Sequence, residues 1–298
     1  MPEPIPIPTP TTLAVPATTP TPGPTPGLMP LPGVEMVLVP AGGFIMGATK
    51  EEQEVVLAFG WSGVWLRAIR PLVESAGPPR RVYLDAFFID KYEVTNSQYG
   101  AFVLATGHSP PAFGGTPDHP VLGVSWYDAE AFCGWAGKGL PTEAQWEKAA
   151  RGTDGLSYPW GEDWDSARLR SAEEIARRPV ETFSEWTDWQ QTSLIADLPG
   201  PVAVGRYLEG ASPYGVMDMA GNVWEWVADW YGRDYYSIQP RRNPLGPDSG
   251  ERRVLRGGAW DVPRVVAHTW TRETFITPGT RSFVAGFRCA MDQNEDES

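Results

Sequence analysis

The sequence predicts a mixed α+β domain with little regular secondary structure. The chain of 298 residues contains 32 Gly and 31 Pro, and only 20% of its residues are charged. So many Gly and Pro residues favour turns and irregular segments over a helical bundle. The hydrophobic fraction of 42%, which includes 14 Trp, is sufficient for a sizeable core. A chain of this length accommodates one large domain or two small ones.

Composition divides the chain into three parts. Residues 1–33 are dominated by Pro and Thr, and Glu3 is their only charged side chain. Such a segment cannot build a core, so we expect a disordered, extended leader. The globular domain is predicted to occupy residues 34–292, and the polar, acidic residues 293–298 are expected to fray. We find no internal repeat.

The first half of the domain carries alternating strand and helix patterns. Residues 35–46 alternate and are rich in Val, Phe and Gly, which predicts a strand and a turn. Residues 50–75 have a helical pattern that is interrupted by Gly60 and Gly63. Residues 80–94 are rich in aromatic and β-branched side chains and predict strand.

Three capping boxes predict the starts of three further helices. Each box pairs a Ser or Thr with a polar partner three residues later: Thr95 with Gln98, Ser125 with Asp128, and Thr142 with Gln145. Gly107 and Gly152 end the first and the third of these helices. From Tyr158 onward the sequence predicts mostly turns and short strands.

The charge of the chain argues against a nucleic-acid partner. The formal net charge is −13, and an acidic surface repels the phosphate backbone. No run approaches 18 apolar residues, so no membrane-spanning helix is expected. No signal peptide is visible at the N-terminus. Thr/Pro stretches such as residues 1–33 often tether a domain, which favours a cell-surface or secreted location over a cytoplasmic one.

The motifs of the common enzyme classes are missing from the sequence. It contains no G-x-S-x-G, G-x-G-x-x-G, P-loop, C-x-x-C or H-E-x-x-H. The three His residues are far apart and have no metal-ligand spacing. The two cysteines, Cys133 and Cys289, could form a disulfide or be reduced core residues.

Seven segments carry a resemblance to one family. They are MVLVPAGGFIMG (36–47), YLDAFFIDKYEVTNSQYGAF (83–102), HPVLGVSWYDAEAFCGWAGKGLPTEAQWEKAARG (119–152), YPWGE (158–162), SPYGVMDMAGNVWEWVADWY (212–231), RVLRGGAW (253–260) and GFRCA (286–290). In this order they resemble the formylglycine-generating enzymes, also called sulfatase-modifying factors. The resemblance implies that family's α+β fold, which is related to the C-type lectin fold.

The resemblance also shows where this chain departs from the enzymes. The family's enzymes oxidise a substrate cysteine, and they use two reactive, copper-binding cysteines placed after a GG-x-[WY] turn. Counting from Gly257 and Gly258, these two positions hold Val262 and Ala267. Neither can be a thiolate or a copper ligand, so we expect no copper and no oxidase activity. Cys133 and Cys289 match a structural disulfide of the family.

A calcium site is implied by the resemblance. It transfers Asp218 and Glu225 as side-chain ligands, and the carbonyl oxygens of Gly221 and Val223 as backbone ligands. Two carboxylates among hard oxygen ligands suit Ca²⁺. The alternative is an ordinary turn Asp and surface Glu. The family's second calcium site relies on a region that matches about residues 165–200, which departs from the pattern and is not transferred.

The expected binding face is the segment of residues 261–285. In a non-catalytic branch, which includes the variable proteins of diversity-generating retroelements, this segment displays side chains on the lectin-like face. The residues that we expect to bind a protein or other surface ligand are Trp260, Asp261, Val262, Arg264, Val266, His268, Trp270, Arg272, Phe275 and Phe283. Aromatic and Arg side chains dominate binding hot spots, and several Arg residues in one segment suggest a positive patch for an anionic ligand. The alternatives are ordinary packing, an enzyme that acts without the cysteine pair, and an accessory domain of a larger signalling protein.

Overall fold

A computed structural model describes residues 34–195 and 200–293 of the chain. The predicted leader and residues 294–298 of the predicted tail lie outside the described residues. The helices are α1 (Lys50–Leu57), α2 (Gly63–Ser75), α3 (Asn96–Thr106), α4 (Trp126–Trp135), α5 (Glu143–Arg151), α6 (Ala172–Ala176), α7 (Phe183–Ile195) and α8 (Tyr235–Ile238). The strands are β1 (Met36–Val39), β2 (Gly42–Met46), β3 (Arg80–Leu84), β4 (Phe87–Asp90), β5 (Trp224–Trp230), β6 (Arg253–Arg256), β7 (Arg272–Glu273), β8 (Ala285–Phe287) and β9 (Ala290–Asp292). This is the mixed, irregular α+β architecture that the sequence predicts.

The described strands form three small sheets. One sheet has the antiparallel order β1-β4-β9, and β2 pairs with β3 in a second. The third has the order β7-β6-β5-β8, in which β5 and β8 are parallel. In this third sheet, β8 lies beside the Trp-rich strand β5. No helix in residues 34–195 or 200–293 is long and apolar enough to cross a membrane.

The predicted helix starts are confirmed. The side chains of Thr95, Ser125 and Thr142 each accept a hydrogen bond from the backbone amide three residues later. The side chain of that later residue in turn accepts a hydrogen bond from the backbone amide of the Thr or Ser. These reciprocal bonds satisfy amides that have no partner within the first helical turn. Gly107 ends α3 in the left-handed conformation, at φ 72°. The predicted break at Gly60 and Gly63 separates α1 from α2.

Two features of the described chain correct the prediction. Residues after Tyr158 were expected to form mostly turns and short strands, but they include α6 and the 13-residue helix α7. A capping box starts α7: the Thr182 hydroxyl accepts from the Glu185 amide, and the Glu185 carboxylate accepts from the Thr182 amide. Phe183 and Trp186 of α7 pack against Trp65 of α2. The predicted strand at residues 80–94 is also divided, into β3 and β4.

A disulfide joins two residues of the larger hydrophobic cluster. Cys133 on α4 and Cys289, just before β9, are fully buried and bonded to each other, with their Cα atoms 5.6 Å apart. Trp224 and Trp226 on β5 pack in the same cluster. Glu225 points to the other side of β5, as the alternation of a strand requires.

A buried ion network lies between α5 and the third sheet. Arg272 donates two hydrogen bonds to Glu143, Nε to Oε1 at 2.9 Å and Nη2 to Oε2 at 2.7 Å. Arg256 bridges Glu143 and Glu147, at 3.2 and 2.6 Å, and Arg151 extends the network from Glu147. All five side chains are at most 2% exposed. Charges this deep are tolerated because each is paired and hydrogen-bonded.

Candidate functional site

One surface depression of the described residues is a groove of about 1080 Å³ with aromatic walls. Trp61, Trp65 and Trp186 form one wall, and their ring centroids lie 5.4–5.9 Å apart in edge-on pairs. Trp224 of β5 and Phe275 also line the groove, with 6.0 Å between their ring centroids. We call this depression the aromatic groove. Its apolar lining and its size are typical of binding sites.

Half of the residues that the sequence predicts for ligand binding line the aromatic groove. They are Asp261, Val262, Val266, Phe275 and Phe283. Phe275 and Phe283 are 44% and 53% exposed, so they offer apolar surface at the rim. Trp65 on α2 is exposed to a similar degree. Exposed aromatic side chains grouped around one depression are typical of an interaction surface.

The two positions that the resemblance assigns to reactive cysteines flank the Gly257-Gly258 turn. A Cβ atom built on Gly258 would lie 3.2 Å from Val262 Cγ2 and 3.5 Å from Ala267 Cα. Val262 lines the aromatic groove, but Ala267 is fully buried and packs with Leu169 and Ala220. Of these two positions, therefore, only Val262 faces the groove.

Three predicted binding residues line a second, smaller cavity of about 480 Å³ instead. Arg264 forms an ion pair there with Glu181. His268 and Trp270 are buried, and the His268 ring stacks between Tyr158 and Trp270 at centroid distances of 4.9 and 5.4 Å. Burial lowers the pKa of His268 to about 4, so its ring is neutral at pH 7.

Two other predicted binding residues belong to the interior. Trp260 is 3% exposed and packs in the larger hydrophobic cluster. Arg272 is paired with Glu143 in the buried network, and its guanidinium lies over the rings of Tyr231 and Tyr236. The predicted positive patch is therefore wrong: Arg264 and Arg272 pair within the domain, and His268 carries no charge. Ordinary packing explains these residues.

The groove contains carboxylates in poorly solvated positions. Burial raises the pKa of Asp261 to about 6, and only a hydrogen bond from its own backbone opposes the shift. Burial raises the pKa of Glu273 to about 7, although the Thr274 amide donates to it and Arg252 lies near. Both residues line the groove. The groove is thus apolar with a local excess of acidic groups.

The turn that was expected to bind calcium holds a different arrangement. Both carboxylate oxygens of Glu225 accept hydrogen bonds of 2.7 Å from Arg288, and Oε2 also accepts from the Trp146 indole at 2.9 Å. The Asp218 carboxylate accepts from the Gly205 amide at 2.6 Å. Burial raises its pKa above the ordinary value.

The predicted ligand set does not fit calcium in this arrangement, because Glu225 is already neutralised by Arg288. An ion could use Glu225 only after displacing that guanidinium. In the described part of the chain, no group of three or more His, Cys, Asp or Glu side chains is arranged as a metal site. Calcium at Asp218, Gly221, Val223 and Glu225 stays a prediction. Equal melting temperatures in calcium and in EDTA would contradict it.

The sequence reasoning missed one wall of the groove. Trp61, Trp65 and Trp186 come from α7 and from the region of α2, which the resemblance did not mark as functional. The Trp186 indole donates to the Asp261 carbonyl at 2.8 Å and fixes α7 against the predicted face. The signal that could have located this wall is the capping box of Thr182 and Glu185 at the start of a helix. Phe183 and Trp186 are three residues apart and therefore lie on one face of that helix.

Comparisons with known proteins cover nearly the whole described fold. The sulfatase-modifying factor enzyme 1-like domain matches residues 27–293. The chain is similar to the formylglycine-generating enzyme of Thermomonospora curvata, with 32% identity over 86% of this chain and 93% of that enzyme. It is also similar to the serine/threonine-protein kinase pkn1 of Chlamydia caviae, with 32% identity over 78% of this chain, but it spans only 37% of that kinase.

A solved structure supports the same fold. Treponema denticola variable protein 1 matches with a TM-score of 0.63 and 22% identity, over 87% of this chain and 95% of that one. The resemblance read from the seven segments, and the α+β, C-type-lectin-like fold that it implies, are confirmed. The chain belongs to the formylglycine-generating enzyme family, whose domain is the sulfatase-modifying factor enzyme 1-like domain.

Proposed function

We propose that this chain is a non-catalytic binding domain of its family, and that residues 261–285 supply part of its binding face. The observation that carries the proposal is the chemistry beside the Gly257-Gly258 turn. Val262 and Ala267 stand where the resemblance places two reactive cysteines. The only two cysteines of the chain are joined in a buried disulfide and do not line the groove. Without a thiolate the family's cysteine chemistry has no ligand for copper and no nucleophile.

The aromatic groove supports a binding role. It keeps the shape of a site, with buried Trp residues in its walls and exposed Phe275 and Phe283 at its rim. Large aromatic side chains provide much contact area for little loss of conformational entropy. A groove that has lost its reactive groups but keeps such a surface can still bind a protein or another ligand.

Two specific versions of this function have separate support. The likeness in fold to a variable protein supports a retroelement variable protein with residues 261–285 as the diversified segment. A reverse-transcriptase gene with an adenine-rich near-copy of the 3′ end beside this gene would establish that version. The match to part of a protein kinase supports an accessory domain of a signalling protein. A kinase domain encoded in the same reading frame would establish that one.

The direct test is an oxidase assay with the full chain. A cysteine-containing sulfatase peptide is incubated with the protein, copper, oxygen and a thiol reductant, and the product is identified by mass spectrometry. The Thermomonospora curvata enzyme serves as the positive control. We expect formylglycine from the control and unchanged cysteine from this chain. Catalytic turnover of the peptide by this chain would refute the proposed function.

A further inference from the structure

The smaller cavity of about 480 Å³ is built mostly from parts of the chain that carry no resemblance to the family. We call it the α1 cavity, because Glu52 and Val55 of α1 and the residues directly after this helix contribute to its lining. Of the described residues that line it, only Tyr158 and Glu162 belong to one of the seven family-like segments. The resemblance therefore assigns nothing to this cavity.

The buried part of the lining is aromatic and uncharged. Tyr158, His268 and Trp270 are buried, and their rings stack in this order with centroids 4.9 and 5.4 Å apart. His268 Nδ1 lies 3.1 Å from the Val265 carbonyl oxygen, which can only accept, so Nδ1 carries the proton. The other nitrogen, Nε2, then accepts from the Tyr158 hydroxyl, also at 3.1 Å. These bonds fix the rings and leave neither side chain a proton to donate to a ligand.

The exposed part of the lining is acidic. It contains three carboxylates from the loops, and α1 adds a fourth: they are Glu162, Asp163, Glu181 and Glu52. Arg264 is the one Lys or Arg side chain among the described lining residues, and it pairs with Glu181. Arg151 lies 3.4 Å from Glu52. Glu162 and Asp163 are exposed, and neither forms an ion pair with another described residue.

This division of the lining favours a ligand with an apolar body and a cationic head. The buried rings offer apolar contact, and the two unpaired carboxylates at the rim attract a cation. An anionic ligand finds few free donors, because the Ser157 hydroxyl already donates to Glu162 at 2.6 Å. The volume of about 480 Å³ lies in the range of small-molecule sites.

We propose that the α1 cavity binds a small primary amine with a compact apolar body. The apolar body packs against the rings of Phe59, Tyr158 and Trp164, and the ammonium group donates to the carboxylates of Glu162 and Asp163. This inference goes beyond the proposed binding face, because the α1 cavity shares no lining residue with the aromatic groove.

The test is a fluorine NMR titration of the full chain at pH 7.5, which detects weak binding. The probes share an aryl body and differ in the head group: 4-fluorophenethylamine is a cation, 2-(4-fluorophenyl)ethanol is neutral, and 3-(4-fluorophenyl)propionate is an anion. We expect the amine to bind with a dissociation constant of about 1 mM or tighter. The alcohol should bind at least about threefold more weakly, because it lacks the charge pair. The anion should bind most weakly.

Asp163→Asn tests the role of the rim charge. It keeps the hydrogen bond that the Asp163 backbone carbonyl accepts from the Trp160 indole at 2.9 Å. The variant should weaken binding of the amine about threefold and leave binding of the alcohol unchanged. Asp118→Asn is the matched control, since the Asp118 side chain is 69% exposed and lines neither the α1 cavity nor the groove. It should change neither affinity.

Val55→Trp tests the location of the site. Val55 is 58% exposed on α1 and lines the cavity, so a larger ring there fills space that the apolar body needs. We expect the affinity for the amine to fall about tenfold or more. Val64→Trp is the matched control, because Val64 is 66% exposed on α2 and lines neither the α1 cavity nor the groove. It should bind the amine as the parent does.

The proposal is wrong if the alcohol binds as tightly as the amine, or if Asp163→Asn leaves the affinity for the amine unchanged. It is also wrong if Val55→Trp does not weaken the amine, because the amine then binds elsewhere on the domain. Each of these results leaves the proposed binding function standing. Oxidation of the cysteine peptide would refute that function without any reference to the α1 cavity.

Discussion

Replacing Arg272 tests whether this residue of the predicted binding face stabilises the fold or contacts a ligand. Arg272 was expected from the sequence to contact a ligand, but the structure buries it against Glu143 with two hydrogen bonds of 2.9 and 2.7 Å. Arg272→Ala would leave Glu143 with one longer bond from Arg256, of 3.2 Å. Asp229 also lies against Glu143, and the burial of that pair raises the pKa of Asp229 to about 7.

The magnitude follows from the cost of a buried charge that loses its partner. Breaking a buried ion pair by removing one member typically destabilises a protein by about 3–5 kcal/mol. For a domain of this size, each kcal/mol lowers the melting temperature by roughly 2–4 °C. We therefore expect Arg272→Ala to melt roughly 6–20 °C below the parent protein.

Arg264→Ala is the matched control from the same segment. The Arg264 side chain is 34% exposed, and its partner Glu181 is 51% exposed. Exposed ion pairs contribute about 0–1 kcal/mol, so we expect a change of at most about 4 °C. Differential scanning calorimetry at pH 7 measures both variants. If Arg272→Ala melts within about 3 °C of the parent, the network does not stabilise the fold and this reasoning is refuted.

Three further predictions test the interior of the domain. Burial lowers the pKa of His268 to about 4, against about 6.5 in the unfolded chain, so the unfolded state takes up the proton first. The free energy of unfolding should therefore be highest above pH 6.5 and fall by about 3 kcal/mol as the pH drops towards 4. In urea unfolding, His268→Gln should lack this fall. An equal fall in the parent protein and in His268→Gln would contradict the prediction. Reduction of the Cys133–Cys289 bond, which spans 156 residues, should cost about 5 kcal/mol in the chain-entropy account, and calorimetry that finds no change with reductant would contradict this. Gly221→Ala should destabilise the protein by several kcal/mol, because the new Cβ would lie 2.3 Å from a backbone carbonyl oxygen. In the control Gly215→Ala the new Cβ meets no atom within 4 Å, so only the positive φ of 84° is unfavourable, at about 1–2 kcal/mol. Equal losses of stability in thermal melts would show that the close contact at Gly221 relaxes.

The sequence alone was sufficient for local structure and for the family. Thr95, Ser125 and Thr142 start helices because a capping box is made by residues three positions apart, so its evidence is local. The seven collinear segments predicted the family because they fix turns and core positions along nearly the entire domain. The loss of the reactive cysteines is also a property of the sequence, since Val262 and Ala267 carry no thiol in any fold.

Only the tertiary structure decided what each side chain in residues 261–285 contacts. Arg272 and Phe275 are both residue types that are common on binding faces. In the structure Arg272 pairs with Glu143, 129 positions away, whereas Phe275 is 44% exposed at the groove. The Trp186 wall was hidden for the same reason, because α7 reaches the groove from 75 residues upstream. A sequence pattern records which residues can be buried, whereas charge pairing and exposure depend on the long-range contacts that close the fold.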